Sequence, residues 1–369
     1  MSTKNFAIPV DKTGWQLQDN SGTVRFTWDY DTQRDRLINL YEKGKRRQWD
    51  AKTRIDWNLP MDPNNPAGGI DEMIPIYGSE MWNKMDQKAR EELRLHLSAW
   101  QFSQFLHGEQ GALICASKIV QNVPDIDSKY YAATQVMDEA RHVEAYSMLL
   151  DKIGLAYPIN FNLRDILNDV LTDSRWDMTY LGMQVLIEGL ALAAFGGIRT
   201  FSQNELTRTV TAYVMQDEAR HVSFGRAALK DYYPQLTSKE RDERELFAAE
   251  ACRMMRDRFL AVEVWETLGL DVNECTRFVV ESESQSQFRS FLFMRIVPIL
   301  KDIGLWGPKM RHAFEQMGVI GFADTDLEKV MAEDEKIADE IDAMRRHEVD
   351  KVVALGELDE GQNDPSSQA

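Results

Sequence analysis

The strongest constraint on this chain is a pentapeptide that it uses twice. Asp138-Glu139-Ala140-Arg141-His142 recurs unchanged as Asp217-Glu218-Ala219-Arg220-His221, 79 residues further on. The same offset relates Glu109 to Glu188, and both open apolar runs, GluGlnGlyAlaLeuIleCysAla from Glu109 and GluGlyLeuAlaLeuAlaAlaPhe from Glu188. Each half therefore reads Glu and then, thirty positions further on, the Glu of a Glu-x-x-His. One copy of the pentapeptide is explained by a solvated, charged helical turn. Two copies, each following a glutamate inside an apolar helix, form an internal repeat.

Helical geometry turns the repeat into a site. Residues three apart stack on one helix face, so each Glu-x-x-His presents a carboxylate and an imidazole together. Val136, Val143 and Tyr146 are expected on that face in the first half, Met215 and Val222 in the second. Glu109 falls in line with Phe102, Phe105, Ala112, Leu113 and Ala116, and Glu188 with Leu181, Val185, Ala191, Leu192 and Phe195. Six polar groups thus point into a helical interior.

Four carboxylates buried together cannot all stay ionised without positive charge between them. Two divalent cations cancel four negative charges and leave one imidazole for each ion. Mixed carboxylate and imidazole ligation disfavours thiolate-seeking metals and favours iron or manganese. A Glu from each of two helices plus Glu-x-x-His from each of two others is a ligand set that bundles use for di-iron and di-manganese centres. The predicted ligands are Glu109, Glu139, His142, Glu188, Glu218 and His221, around two iron ions, with Mn/Fe or Mn/Mn as alternatives. Imidazole ligands usually donate their second N–H to a carboxylate. Asp138 is therefore expected to serve His221 and Asp217 to serve His142, with Arg141 and Arg220 neutralising the aspartates. Ordinary surface charge is the other reading of these four.

The rest of the chain reads as all-α. Four long helical segments are predicted near 86–121, 126–152, 174–200 and 205–231, with one longer excursion between the second and third, as in a four-helix bundle with a crossover. The expected layout is an N-terminal arm, first helix and loop over 1–80, the bundle over 81–235, additional helices packed on it over 236–348, and a disordered acidic tail over 349–369. The first amphipathic helix is expected from about Thr32 to Trp49. Pro60, Pro63, Pro66 and the Gly68–Gly69 pair make 54–70 a loop. The run from Leu181 to Ile198 approaches the length of a membrane span. Glu188 at its centre and the absence of a second such run make it the central helix of a large core instead.

A net charge of −17 disfavours nucleic acid and anionic lipid as partners. Three scattered cysteines without a CxxC exclude a disulfide scaffold and suit a reducing compartment. No secretory signal is recognisable at the N-terminus. A cytoplasmic protein is the expectation.

On these residues, over roughly 85–235, the chain resembles the carboxylate-bridged di-iron proteins of the ferritin-like superfamily. The Asp-Glu-x-Arg-His form on both helices is similar to the hydroxylase subunits of bacterial multicomponent monooxygenases and to soluble acyl-carrier-protein desaturases. Trp49-Asp50 and Ile55-Asp56-Trp57 resemble the monooxygenase side. The resemblance implies a ferritin-like bundle with flanking helices. It also implies an enzyme that activates O2 to hydroxylate, N-oxygenate or desaturate a small or acyl organic substrate, with the same six residues as ligands. Two departures stand out. Leu192 replaces the threonine that monooxygenases carry one turn after the third-helix glutamate. The N-oxygenase branch usually adds a seventh, histidine ligand, for which no obvious candidate stands near Glu218.

Tyr146, four residues after His142, is placed for a redox or a supporting role beside the metals, or for plain packing. Phe105, Met183, Leu192, Phe195 and Met215 are the expected pocket lining, and His107 is a candidate to support the ligands. Nothing in the chain binds flavin, haem or an iron–sulfur cluster, so the electron donor, a ferredoxin or reductase, is expected to be external. The helices after Ser238 suggest a pocket or a homodimer interface. The competing readings are a radical-generating subunit like the small subunit of ribonucleotide reductase, and a non-catalytic ferritin-like iron handler.

Overall fold

The computed structural model describes residues 5, 7–8, 24–27, 29–341 and 343. The expected acidic tail at 349–369 and most of the expected N-terminal arm lie outside them. Four long helices follow the predicted segments closely: α2 (Gln87–Asn122), α3 (Ile126–Ile153), α5 (Trp176–Phe201) and α6 (Glu205–Tyr232). The first amphipathic helix, α1, is Asp35–Arg46, and the excursion between α3 and α5 holds α4 (Phe161–Thr172). Among the described residues there is no strand.

Local chemistry sets the ends of these helices. Asp86, Asp125 and Asn204 accept the amides of Ala89, Ser128 and Thr207, so each starts its helix by satisfying a donor that has no intrahelical partner. Gly154, at φ 78°, ends α3 in the left-handed conformation that glycine adopts at little cost. The helix α7 (Ser238–Asp257) begins with a capping box of Thr237 and Glu240.

The apolar run in α5 is core. The helix is long and apolar enough to cross a membrane, but 78% of its most apolar window is buried inside the protein. Its neighbours come from both sides of the chain, since Leu186, Leu190 and Phe195 share one hydrophobic core with Phe102, Leu149, Val214, Ile296 and Ile299. A second, smaller core gathers Trp82, Leu93, Trp100, Tyr157 and Trp265.

One local feature of α5 departs from a regular helix. Leu181–Ile187, immediately before Glu188, is π-helical, a register that occurs mostly in short stretches, often at functional sites. Close packing accompanies it. A Cβ on Gly225 of α6 would lie 2.5 Å from Gln184 Cβ, so only glycine lets α6 approach this turn.

Candidate metal centre

The bundle brings the six predicted residues together. Glu109 comes from α2, Glu139 and His142 from α3, Glu188 from the end of the π turn, and Glu218 and His221 from α6. They form two overlapping groups, Glu109, Glu139, His142 and Glu218 in one, Glu139, Glu188 and His221 in the other, with potential donor atoms within 4.8 Å of one another in each. All six are buried, none more than 6% exposed. His142 Nδ1 lies 3.1 Å from Glu109 Oε2 and from Glu218 Oε1, and His221 Nδ1 lies 3.1 Å from Glu139 Oε1.

Behind the imidazoles sits a closed lattice of charge. His142 Nε2 is 3.1 Å from Asp217 Oδ2 and His221 Nε2 is 3.2 Å from Asp138 Oδ2. This is the crossed pairing expected of the repeat. With a proton on Nε2 directed to the aspartate, each Nδ1 presents its lone pair to the carboxylate cluster. Arg141 donates to Asp138 and Asp217, and Arg220 donates to the same two aspartates. Sequence beyond the bundle closes the lattice. Gln48 Nε2 donates to Asp138 Oδ1 at 2.8 Å, Trp49 Nε1 donates to Asp217 Oδ2 at 2.8 Å, and the Arg141 guanidinium lies 4.8 Å over the Trp49 ring. Asp50 caps the next turn by accepting from Lys52 and Thr53.

The donor set tests whether cations fit. Glu139 Oε2, Glu188 Oε2, both carboxylate oxygens of Glu218 and His221 Nδ1 are buried without a hydrogen bond. Buried polar atoms are almost always satisfied. Here the exceptions are the lone-pair atoms that metal ions would take up, so the residues fit a dinuclear centre. Without cations the charge is relieved by protons. Burial, reinforced by Glu218, pushes the carboxyls of Glu109 and Glu188 well above their ordinary range. Burial alone would lower His142 and His221. The surrounding carboxylates, Glu109 first for His142 and Glu218 first for His221, outweigh it and raise both. Burial likewise opposes the charged form of Asp217, but Arg220, His142 and Arg141 hold its carboxyl well below the usual value.

These directions give a pH dependence. A folded-state pKa above the unfolded value contributes stability at low pH, and that stability is lost as pH rises through the folded pKa. Glu109, Glu188, His142 and His221 all carry that sign, so the metal-free protein loses their contribution from mildly acidic pH upward. Metal ions replace the protons, so their affinity rises with pH and their binding releases protons. The gap in melting temperature between metal-loaded and metal-free protein should therefore widen between about pH 6 and about pH 8, as read by calorimetry. A constant gap would contradict this charge balance.

The structure departs from the sequence reading in four places. Val136 and Val143 are only half-buried, and the residue that joins Glu139 on the inner face is Gln135, fully buried one turn earlier. Its Nε2 donates to Glu139 Oε1 at 3.0 Å and to Glu188 Oε1 at 2.9 Å. The residue 79 positions on is Val214, so the two halves are unequal here. His107 does not support the ligands. Its Nε2 meets the Tyr157 carbonyl at 2.8 Å, and burial lowers its pKa. Leu192 lines a different crevice, with Val222 and Arg295, and Met215 is absent from the cavity beside the carboxylates. The remaining three expected lining residues, Phe105, Met183 and Phe195, do line that cavity.

Tyr146 is fully buried against Phe105 and Phe195, its hydroxyl makes no hydrogen bond, and burial and the nearby carboxylates push its pKa well up. The cavity at the carboxylates is small, about 20 Å³, enough for roughly one water. Glu109, Glu188, Glu218 and Arg258 all contribute to its wall. A larger cavity of about 270 Å³ lies further along the same two helices, between Trp100 and Gln101 of α2 and Ala194 and Ile198 of α5, and reaches Phe259 and Ala261.

Comparison with known proteins places this arrangement. The family described as p-aminobenzoate N-oxygenase AurF matches residues 31–304. No curated protein matches the sequence. Among solved structures, an R2-like ligand-binding oxidase with an aerobically reconstituted metal cofactor after photoconversion aligns at 16% identity and a TM-score of 0.47, covering 76% of this chain and 96% of its own. A mutant R2-like ligand-binding oxidase with an anaerobically reconstituted Mn/Fe cofactor aligns at 17% identity and a TM-score of 0.48, with the same coverage.

Proposed function

The chain belongs to the p-aminobenzoate N-oxygenase AurF family, and from that membership we propose that it oxygenates the nitrogen of an arylamine. It is an O2-dependent oxidase or oxygenase of the di-iron, ferritin-like kind, for which a Mn/Fe pair is also compatible with the ligand set. The family match across 31–304 is the observation that favours nitrogen over carbon as the site of oxidation. The sequence left that branch open, because no obvious candidate for a seventh, histidine ligand stands near Glu218. The buried donor groups among the described residues comprise six residues.

The bound metals would supply the electrons and Lewis acidity that activate O2. Glu109, Glu139, His142, Glu188, Glu218 and His221 would hold them, and Asp138 and Asp217 orient the imidazoles. Gln135 keeps Glu139 and Glu188 turned toward each other through one shared amide. Phe105, Met183 and Phe195 supply apolar wall to a cavity with room for roughly one water. Tyr146, with a free hydroxyl and a high pKa, is suited to hold a proton rather than lose one.

Insertion of one oxygen atom into an N–H bond sends the second oxygen to water and consumes two electrons and two protons. Those electrons come from an external donor such as a ferredoxin or reductase. The net charge of −17 and three buried free cysteines support a reducing, cytoplasmic setting without nucleic acid.

The test is single-turnover chemistry. Anaerobic loading should saturate near two Fe(II) per chain, and exposure to labelled O2 with p-aminobenzoate and a reductant should give a product with labelled oxygen on nitrogen, read by mass spectrometry. Label found only on ring carbon, or uptake of many more iron ions per chain, would overturn the reading.

A further inference from the structure

The repeat builds the centre from matched parts and then breaks the match at one buried position. Glu109 answers Glu188, Glu139 answers Glu218, His142 answers His221, and the aspartates and arginines behind them are identical in the two halves. One turn before the Glu of Glu-x-x-His, α3 carries Gln135 where α6 carries Val214, and both side chains are fully buried. Gln135 Nε2 donates to Glu139 Oε1 at 3.0 Å and to Glu188 Oε1 at 2.9 Å. Ionised carboxylates only accept, so with ions bound the amide nitrogen, not its oxygen, faces them. Behind it, Gln184 Nε2 of the π turn approaches Gln135 Oε1 at 3.5 Å. Val214 offers no such donor to Glu218, both of whose oxygens lack a hydrogen bond.

The two groups of donors are unequal in charge as well. Glu109, Glu139 and Glu218 join His142 in one, whereas only Glu139 and Glu188 join His221 in the other. The number of charged ligands and the rigidity of their site both tune the affinity for a hard cation. Three carboxylates favour the His142 position, so it fills first. The His221 position has less charge, and its two carboxylates are the pair that Gln135 ties. The amide takes one oxygen of each and leaves Glu139 Oε2, Glu188 Oε2 and His221 Nδ1 without a hydrogen bond. Rigidity there makes up part of the deficit in charge.

We propose that Gln135 is a positioning residue for the second metal ion: by fixing Glu139 and Glu188 it sets how tightly the Glu139–Glu188–His221 position is filled, after the His142 position has filled. The inference goes beyond the N-oxygenation reading and stands on the centre alone. A chain carrying one ion is then a defined state of the protein, and Gln135 governs its conversion to the two-ion form.

The test is anaerobic titration of the metal-free protein with Mn(II), followed by calorimetry and by EPR, in which an isolated Mn(II) and a coupled pair give different signals. The parent should bind in two steps, tight and then weaker, with the isolated-ion signal giving way to the coupled one. Gln135→Met, similar in length and without a donor, should weaken the second step about 10- to 100-fold and leave the first in place. Gln135→Leu repeats the test with a smaller side chain. Glu188→Ala should keep the tight step and lose the other. General damage to the fold would weaken both steps together. Two equal steps in the parent would overturn the proposal, as would a second step unchanged in Gln135→Met, or both steps weakened alike. No titration involves O2 or an amine, so failure here leaves the nitrogen chemistry to its own test.

Discussion

Glu188→Ala should reduce metal binding from two ions per chain to one and abolish O2-dependent turnover. Glu188 is the carboxylate that α5 contributes, it groups with Glu139 and His221, and it enters directly from the π-helical turn. Removing it leaves one group of donors short of a charge, and ligand charge is what binds a hard cation. The loss should exceed the ~10- to 100-fold that removal of a supporting hydrogen bond costs a metal site. The metal-free variant should behave in the opposite way. The Glu188 carboxyl is forced toward its neutral form by burial and by Glu218, so its removal relieves an unfavourable burial and the apo protein should not lose stability. Metal analysis and melting curves of both forms read the two effects separately. Full metal content in this variant would remove Glu188 from the ligand set.

The other large effect is expected behind the metals. Asp217→Ala should destabilise the protein by about 3–5 kcal/mol, because it leaves Arg141 and Arg220 short of a partner in a region closed to water. Asp217 is fully buried and receives Arg141, Arg220, His142 and the Trp49 indole. Denaturant unfolding measures the loss. A cost below about 1 kcal/mol would mean that these charges are solvated like those of surface pairs.

Much of this was legible in the sequence, for a physical reason. The long helices carry their own start signals at Asp86, Asp125 and Asn204, and the repeat exposes its chemistry through residues that titrate. What stayed hidden depends on tertiary packing or on residues without charge. Gln135 lies four positions before Glu139, a spacing that places it on the inner face, but an amide among carboxylates draws no attention. The π turn at Leu181–Ile187 lies where α5 packs closely on its neighbours and Gly225 admits Gln184, and no periodicity in so apolar a run could reveal it. Leu192 and Met215 share the apolar character of true lining residues and differ from them only in direction.

The shared lattice of Asp138, Asp217, Arg141 and Arg220 has a dynamic consequence. Each member holds two others, so water cannot reach one without exposing several charges at once, and the penalty for partial opening is close to that for opening all of them. The floor beneath the two imidazoles therefore cannot fray piece by piece. Were ions bound above it to change charge, the rings would keep their aim, and the surroundings would answer with dipoles already in place instead of reorganising.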